Sequence, residues 1–336
     1  MRPKISAYTA PTIMDVAAAA GVSKGTVSKV LNGRSGISPA TRKKVEATIS
    51  EIGFRPNPFA RKLMQGRTGT VGLLTNDLEG RFSLPILMGA EDALGAGELS
   101  VFLCDARGDE IRERYHLRAL LNRRVDGLIV VGDNGDPRPS LGPDVSVPVV
   151  YALAPSVDER DTSVVTDDTK SGEMAAEHLL SRDKTRIGYV GGDIFRAAES
   201  RAEGARTALK RAGLDFVTPP LFGPWSEAWG RKAARMLLTK SPEIDGILCG
   251  SDHIARGVLD GVKKFGRTIP DEVAVMGHDN WEILTVESDP PLSSIDMNLR
   301  EVGRVAAQLL FEAMNGNSQI GQHQVPGRIV SRGSTE

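Results

Sequence analysis

From residue 71 to 276 the chain repeats one unit: a short apolar run, a polar turn, then an amphipathic stretch of helical period. The apolar runs fall at 71–74, 101–104, 127–131, 147–151, 187–190, 247–249 and 273–276. The amphipathic stretches fall at 83–94, 111–123, 171–180, 202–212, 227–238 and 254–265. Continuous apolar strands alternating with helices predict parallel sheets covered on both faces. The chain after Thr70, about 265 residues, is long for one such sheet and fits two. Ligands of open α/β sheets bind beyond the carboxyl ends of strands. Those ends here read Thr75-Asn76-Asp77, Gly191-Gly192-Asp193, Gly250-Ser251-Asp252 and Gly277-His278-Asp279-Asn280. The same residue types also make ordinary solvent-facing turns.

The first 67 residues have a different character. They hold 12 Lys/Arg against Asp15, Glu46 and Glu51, a net of +9, while the rest carries 30 basic and 40 acidic residues, a net of −10. A basic head on an acidic body attracts phosphate at one end and repels it at the other; a solvated basic tail has the same arithmetic. Within the head, Thr12 can cap a helix in which Ile13, Val16, Ala17 and Ala20 recur at helical spacing, and Gly21 ends the run. Ser23 caps a second helix, 24–31, stopped by Asn32-Gly33, with Lys24, Gly25, Thr26, Ser28 and Lys29 outward. Ser38-Pro39 opens a third, which Gly53 closes. Two short helices across a tight Gly-containing turn describe a helix-turn-helix, whose second helix would enter the DNA major groove. An ordinary small helical bundle has the same pattern.

Residues 13–33, IMDVAAAAGVSKGTVSKVLNG, resemble the DNA-binding signature of the LacI/GalR family of bacterial transcription regulators, as do 38–42, SPATR, and 52–58, IGFRPNP. The resemblance continues through 124–131, 269–280 and 291–296 to Arg332-Gly333-Ser334, so it covers about the whole chain. It implies a helix-turn-helix domain over 1–57, a hinge helix and linker over 58–68, and an effector-binding and dimerisation domain over 69–336 built as two α/β lobes joined by three crossovers, similar to periplasmic sugar-binding proteins. It also implies that Thr12, Ser23, Lys24, Gly25, Thr26, Ser28, Lys29, Asn32 and Asn57 contact DNA. Lys29 stands where the family often carries Arg. In the hinge, Leu63 matches a leucine that wedges between base steps in the minor groove, with Ala60 packed beside it.

For the effector pocket the resemblance points to Arg201, which would grip effector oxygens, and to Asp279 facing it. An arginine that donates and a carboxylate that accepts can together hold vicinal hydroxyls. Trp225 matches a position where an aromatic packs on the ligand. Asn76, Arg81 and Phe82 occupy a first-lobe segment that lines the pocket, and Asp167 stands at a second-segment polar position. Ser251 stands where the family often has Asn, and Leu153 where some sugar-binding members have Asp.

No GxxxxGK[ST], HExxH or GxGxxG motif occurs. The histidines are scattered without metal-ligand spacing, so no cofactor and no catalysis are expected. Cys104 and Cys249 suit a reducing cytosol, and no apolar run approaches the roughly 18–20 residues that span a bilayer. The first ten residues lack a signal-peptide core and no apolar heptad follows Glu336, so a cytoplasmic homodimer is expected, without a tetramerising coiled coil. The expected activity is sequence-specific repression at a near-palindromic operator, released by a sugar or sugar derivative between the lobes. Two other readings fit parts of the pattern: a solute-binding receptor, and a regulator answering to a protein partner.

Overall fold

The computed structural model describes residues 13–31, 35–52, 67–77, 80–94, 100–193 and 195–336. They form two compact units, divided after Thr68.

The first unit contains α1 (Ile13–Ala20), α2 (Lys24–Leu31) and α3 (Pro39–Glu51). Val16, Ala17, Ala20, Val27, Val30 and Val45 meet in one buried cluster, and each buried valine contributes about 1.5–3 kcal/mol. Gly21 follows α1 at φ +65°, the left-handed position that ends a helix without a Cβ penalty. Ser38 accepts from Thr41 N at 3.1 Å and Pro39 takes the first helical position, which together fix where α3 begins.

The second unit contains two six-stranded sheets. The first lobe is built on β1 (Thr70–Thr75), β2 (Ser100–Asp105), β3 (Gly127–Val131), β4 (Val149–Ala152), β5 (Thr162–Thr166) and β11 (Gly321–Val325), in the order β11-β5-β4-β3-β1-β2, all parallel. Its helices include α4 (Ser83–Leu94), α5 (Glu110–Asn122) and α11 (Leu299–Met314). The second lobe carries β6 (Ile187–Gly191), β7 (Leu221–Phe222), β8 (Gly246–Cys249), β9 (Ala274–Asp279), β10 (Ser293–Asp296) and β12 (Arg328–Val330), in the order β12-β10-β9-β8-β6-β7, with β12 antiparallel. Around it lie α6 (Asp168–Leu180), α7 (Arg196–Arg211), α8 (Glu227–Lys240), α9 (Asp252–Lys264) and the short α10 (Glu282–Thr285). The chain passes between the lobes three times: from β5 to β6, from β10 to β11 and from β11 to β12.

In each sheet the second strand in sequence lies outside the first: β2 outside β1, β7 outside β6. The winding direction therefore reverses between β1 and β3 and between β6 and β8. The crevice at such a reversal is where open α/β sheets place ligands.

The expected strands and helices are present with their ends shifted by a few residues. The largest shift is at α7, which begins at Arg196 rather than at 202. Its first turn is polar and small, so no apolar periodicity marks it. β5, β7, β10, β11, β12, α10 and α11 have no counterpart in the periodic pattern. β5 and β10 are rich in Thr and Ser, and burial here follows hydrogen bonding rather than apolar character.

Candidate functional site

A cavity of about 320 Å³ lies between the two lobes. Its first-lobe wall includes Arg81 and Phe82 from the loop after β1, and Asp133, Asn134 and Gly135 after β3. Its second-lobe wall includes Asp168, Phe195, Arg201, Trp225 and Asp279. Leu153, Thr166, Ala197 and Met297 complete the lining.

Backbone geometry places each of these groups. Asp77 accepts from Phe82 N at 2.7 Å and Ser83 N at 2.8 Å, capping α4 and fixing Arg81 and Phe82 at its start. α6 and α7 pack so closely that a Cβ at Gly172 would collide with the Arg201 carbonyl, and one at Gly204 with the Thr169 carbonyl. This close approach brings Arg201 onto Asp168: Nε donates to Oδ1 at 2.7 Å, while Nη1 donates to the Gly250 carbonyl at 2.8 Å. The Trp225 indole lies over Gly192, where any Cβ would run into it. The Phe195 ring is nearly parallel to it, at 11° and 6.4 Å between centroids. Asp279 holds a backbone φ of +108°, unusual for any residue but glycine. Such strain persists where the surrounding structure over-determines it, and it is concentrated at functional sites.

Arg81 crosses the cleft. It pairs with Asp279 of the opposite lobe, and its guanidinium carbon stands 4.8 Å from the Phe82 ring centre and 5.2 Å from that of Trp281. Its Nε is buried without a partner among the described residues. Burial alone would raise the Asp279 carboxyl, but Arg81, His278 and Arg201 outweigh it and hold the group below the usual carboxylate range. Beneath it, burial and then the Asp279 charge push the Asp252 carboxyl well above that range. Asp252 accepts from Trp281 N at 2.8 Å and from Ser294 Oγ at 2.6 Å. Burial and the nearby Arg201 lower the His278 imidazole, which keeps it neutral in the wall.

Of the eight residues singled out in the sequence for this cleft, Arg81, Phe82, Arg201, Trp225 and Asp279 line it together. Asn76, Asp167 and Ser251 are not among the lining residues, because each is engaged with backbone. Asn76 accepts from Gly108 N at 3.3 Å, Asp167 caps α6 through Lys170 N at 2.9 Å, and Ser251 caps α9 through Ile254 N at 3.3 Å. The acid that faces the cavity is the next one along, Asp168. Arg201 is tied to Asp168 rather than facing Asp279 as its partner. Both side chains are largely buried, that of Arg201 8% and that of Asp279 6% exposed. Asp133, Asn134 and Phe195 were missed. The first two follow β3 as Gly132-Asp133-Asn134-Gly135, a strand-end turn like the others, so the signal was present in the sequence.

In the first unit, Lys24, Gly25 and Lys29 are exposed along α2, and Val27 and Val30 are buried beneath them. Ser23 accepts from Thr26 N at 3.1 Å, and the two hydroxyls lie 2.9 Å apart, which leaves one hydroxyl hydrogen of the pair for an outside acceptor. Ser28 is half-buried. Thr12, Asn32, Asn57, Ala60 and Leu63 lie outside the described residues.

Comparison with known proteins now bears on both units. The profile of the bacterial regulatory proteins of the lacI family matches residues 12–57, and that of the periplasmic binding protein-like domain matches 176–335. The HTH-type transcriptional regulator CelR of Thermobifida fusca is 33% identical over 92% of this chain and 93% of its own. The chain belongs to the LacI family. The catabolite control protein A of Priestia megaterium and the ribose operon repressor of Escherichia coli K12 are each 30% identical, over 97% and 96% of this chain and 99% of their own. A solved CelR–cellobiose complex superposes with a TM-score of 0.65 at 29% identity, covering 96% of this chain and 99% of that one. A lac repressor dimer bound to operator and the anti-inducer ONPF gives 0.74 at 24% identity over 97% and 99%, a likeness of fold. This LacI-family chain is thus a DNA-binding transcriptional regulator with an effector-binding domain, which sets aside the solute-receptor reading. No helix among its described residues is long and apolar enough to cross a membrane.

Proposed function

We propose that this regulator is a cytoplasmic homodimeric repressor, with residues 1–57 as the DNA-reading head, 58–68 as hinge and 69–336 as effector and dimerisation domain. The two heads place α2 in successive major-groove halves of a near-palindromic operator, with Lys24, Gly25 and Lys29 toward the bases. Leu63 wedges a central base step, with Ala60 beside it. A sugar or sugar derivative between the lobes changes their angle and releases the DNA, a coupling of about 1–3 kcal/mol per ligand.

The observation that carries this reading is the interlobe cavity itself. It brings two arginine–carboxylate pairs and two parallel aromatic rings to one hollow. Sugars present that combination: hydroxyls that donate and accept, and a CH-rich face that packs on rings. The carboxylates Asp168 and Asp279 are committed to arginines, which suits holding a ligand rather than moving a proton and favours a binder over an enzyme. The relatives' names point the same way, since CelR is solved with cellobiose.

The test is DNase footprinting of the full-length protein on its genomic sites, with and without a panel of sugars. The reading requires a footprint of two half-sites that one sugar removes. A footprint that no sugar alters would refute metabolite control and favour a protein partner.

A further inference from the structure

The charges around the cleft narrow the kind of sugar derivative it accepts. Two guanidiniums face the cavity, and both are compensated: Arg201 by Asp168 and Arg81 by Asp279. The one other charged lining residue is Asp133, which is exposed and has no hydrogen bond or ion pair among the described residues. The hollow on the far side of the Arg81–Asp279 pair adds Arg300 and Arg328 but also Glu282 and Asp296, so it supplies no positive excess. A helix N-terminus could serve an anion instead. α7 starts at the cavity rim, but a carboxylate already stands at that end: the Arg196 N–H donates to Asp136 at 2.9 Å.

A phosphate monoester carries about −1.5 to −2 charges at neutral pH and needs unpaired donors to replace its water. The lining offers no net positive charge: its two arginines face three carboxylates, Asp133, Asp168 and Asp279, so one unpartnered donor, Arg81 Nε, is set against the repulsion that Asp133 adds. An uncharged sugar meets a different environment. Its hydroxyl hydrogens have Asp133, Asp168 and Asp279 as acceptors. Its oxygens have the unpartnered Arg81 Nε as donor, and its CH face has Trp225 and Phe195.

We infer that the cleft takes an uncharged, unphosphorylated sugar and turns away phosphorylated or carboxylated counterparts, with Asp133 as the excluding residue. The inference rests on the reading of the cleft as the effector site.

The experiment uses full-length protein, with thermal shift and calorimetry on matched probes: glucose with glucose 6-phosphate and gluconate, ribose with ribose 5-phosphate, fructose with fructose 6-phosphate, and cellobiose. At least one neutral probe binds, and its charged counterpart binds about 100-fold more weakly or worse. Asp133→Asn, at an exposed position, narrows that gap, read as the ratio of the neutral to the charged affinity of the same variant. A charged probe that binds as tightly as its neutral counterpart overturns the inference and leaves the cleft as the effector site. An Asp133→Asn protein with an unchanged gap overturns the role of Asp133. If no probe of either kind shifts melting or operator binding, the sugar reading itself fails, and this inference with it.

Discussion

Breaking the Arg201–Asp168 pair has a cost that can be worked from its geometry. The Arg201 side chain is 8% exposed and that of Asp168 14%, with 2.7 Å between Nε and Oδ1. Arg201→Met keeps most of the side-chain volume but leaves Asp168 without a counter-ion and the Gly250 carbonyl without its donor. Removing one partner of a buried pair costs about 3–5 kcal/mol, most of it from the stranded charge. Asp168 borders the cleft and keeps 14% exposure, so the lower end, about 3 kcal/mol, is expected. Asp168→Asn strands less, because Asp279 also stabilises the Arg201 charge; a loss of about 1–2 kcal/mol follows. The double variant carries neither charge, so its loss falls short of the sum by about 2 kcal/mol.

Urea unfolding followed by tryptophan fluorescence measures this cycle selectively. All three tryptophans, Trp225, Trp229 and Trp281, lie in the second unit. Protein concentration must be held fixed, because dimerisation shifts apparent stability by mass action. The same variants separate stability from recognition: the double regains stability but still fails to respond at sugar concentrations that saturate the wild type. Additive losses, with coupling below about 0.5 kcal/mol, would refute the buried-pair argument. A normal sugar response in the double would take Arg201 out of recognition.

Three further outcomes follow from the same geometry. Gly192→Ala drives a methyl into the Trp225 indole and costs about 1–3 kcal/mol in overpacking; sugar affinity falls with it, and calorimetry showing unchanged affinity would clear Trp225 of any ligand contact. The Asp252 carboxyl is raised above its ordinary value of 3.8 by burial and then by Asp279, so the folded chain binds that proton more tightly than the unfolded one. Its contribution to stability is complete below about pH 4 and is lost as pH rises; Asp252→Asn therefore raises the urea midpoint at pH 8 and not at pH 4, and equal shifts at both would contradict the assignment. Lys29→Ala lowers the slope of log K against log salt by about 1 if the lysine meets a phosphate, whereas discrimination falls by about 1–3 kcal/mol at one base pair if it reads guanine; fluorescence anisotropy at several salt concentrations distinguishes the two, and no change in either would remove Lys29 from the interface.

The architecture was legible because alternation of short apolar strands with amphipathic helices admits few solutions, and because strand-end turns mark where ligands gather. The three helices of the head were legible for a more local reason: Ser23, Ser38-Pro39 and Gly21 are stop and start signals that act within a turn of their own position. What escaped was set by packing at longer range. Asp167 and Asp168 are adjacent acids after β5, and only the start of α6 decides which one caps and which one faces the cleft. Ser251 follows the same logic: a hydroxyl at the end of a strand and the head of a helix goes to the nearest N–H before it reaches a ligand. The partner of Arg201 depends on Gly172 and Gly204 letting two helices touch, a contact between segments about 30 residues apart that no single-segment pattern encodes.

The two ion pairs of the cleft differ in how they depend on lobe angle, and this separates their roles. Arg201 and Asp168 both stand on second-lobe helices, so their pair stays made at any angle. Arg81 comes from the first lobe and Asp279 from the second, so theirs exists only when the lobes are close. A ligand shifts a conformational equilibrium only by its difference in affinity for the two states. With the cleft as the proposed effector site, contacts through Arg201 would add to binding in both states and set how much sugar is needed. Contacts through Arg81 and Asp279 would be available in one state alone and set how far the equilibrium can move. A swing from 1:99 to 99:1 takes about 5.5 kcal/mol, and two ligands per dimer at about 1–3 kcal/mol each supply roughly 2–6. A charge-assisted bond worth about 1.5–3 kcal/mol is then enough to decide whether the switch completes. In operator-binding titrations against the sugar, Arg201→Met accordingly moves the midpoint to higher concentration and keeps the plateau. Arg81→Met lowers the plateau at saturating sugar. If both variants moved the midpoint alone, the cross-lobe pair would be a ligand contact like any other, and the change of lobe angle would have to be driven from elsewhere in the fold.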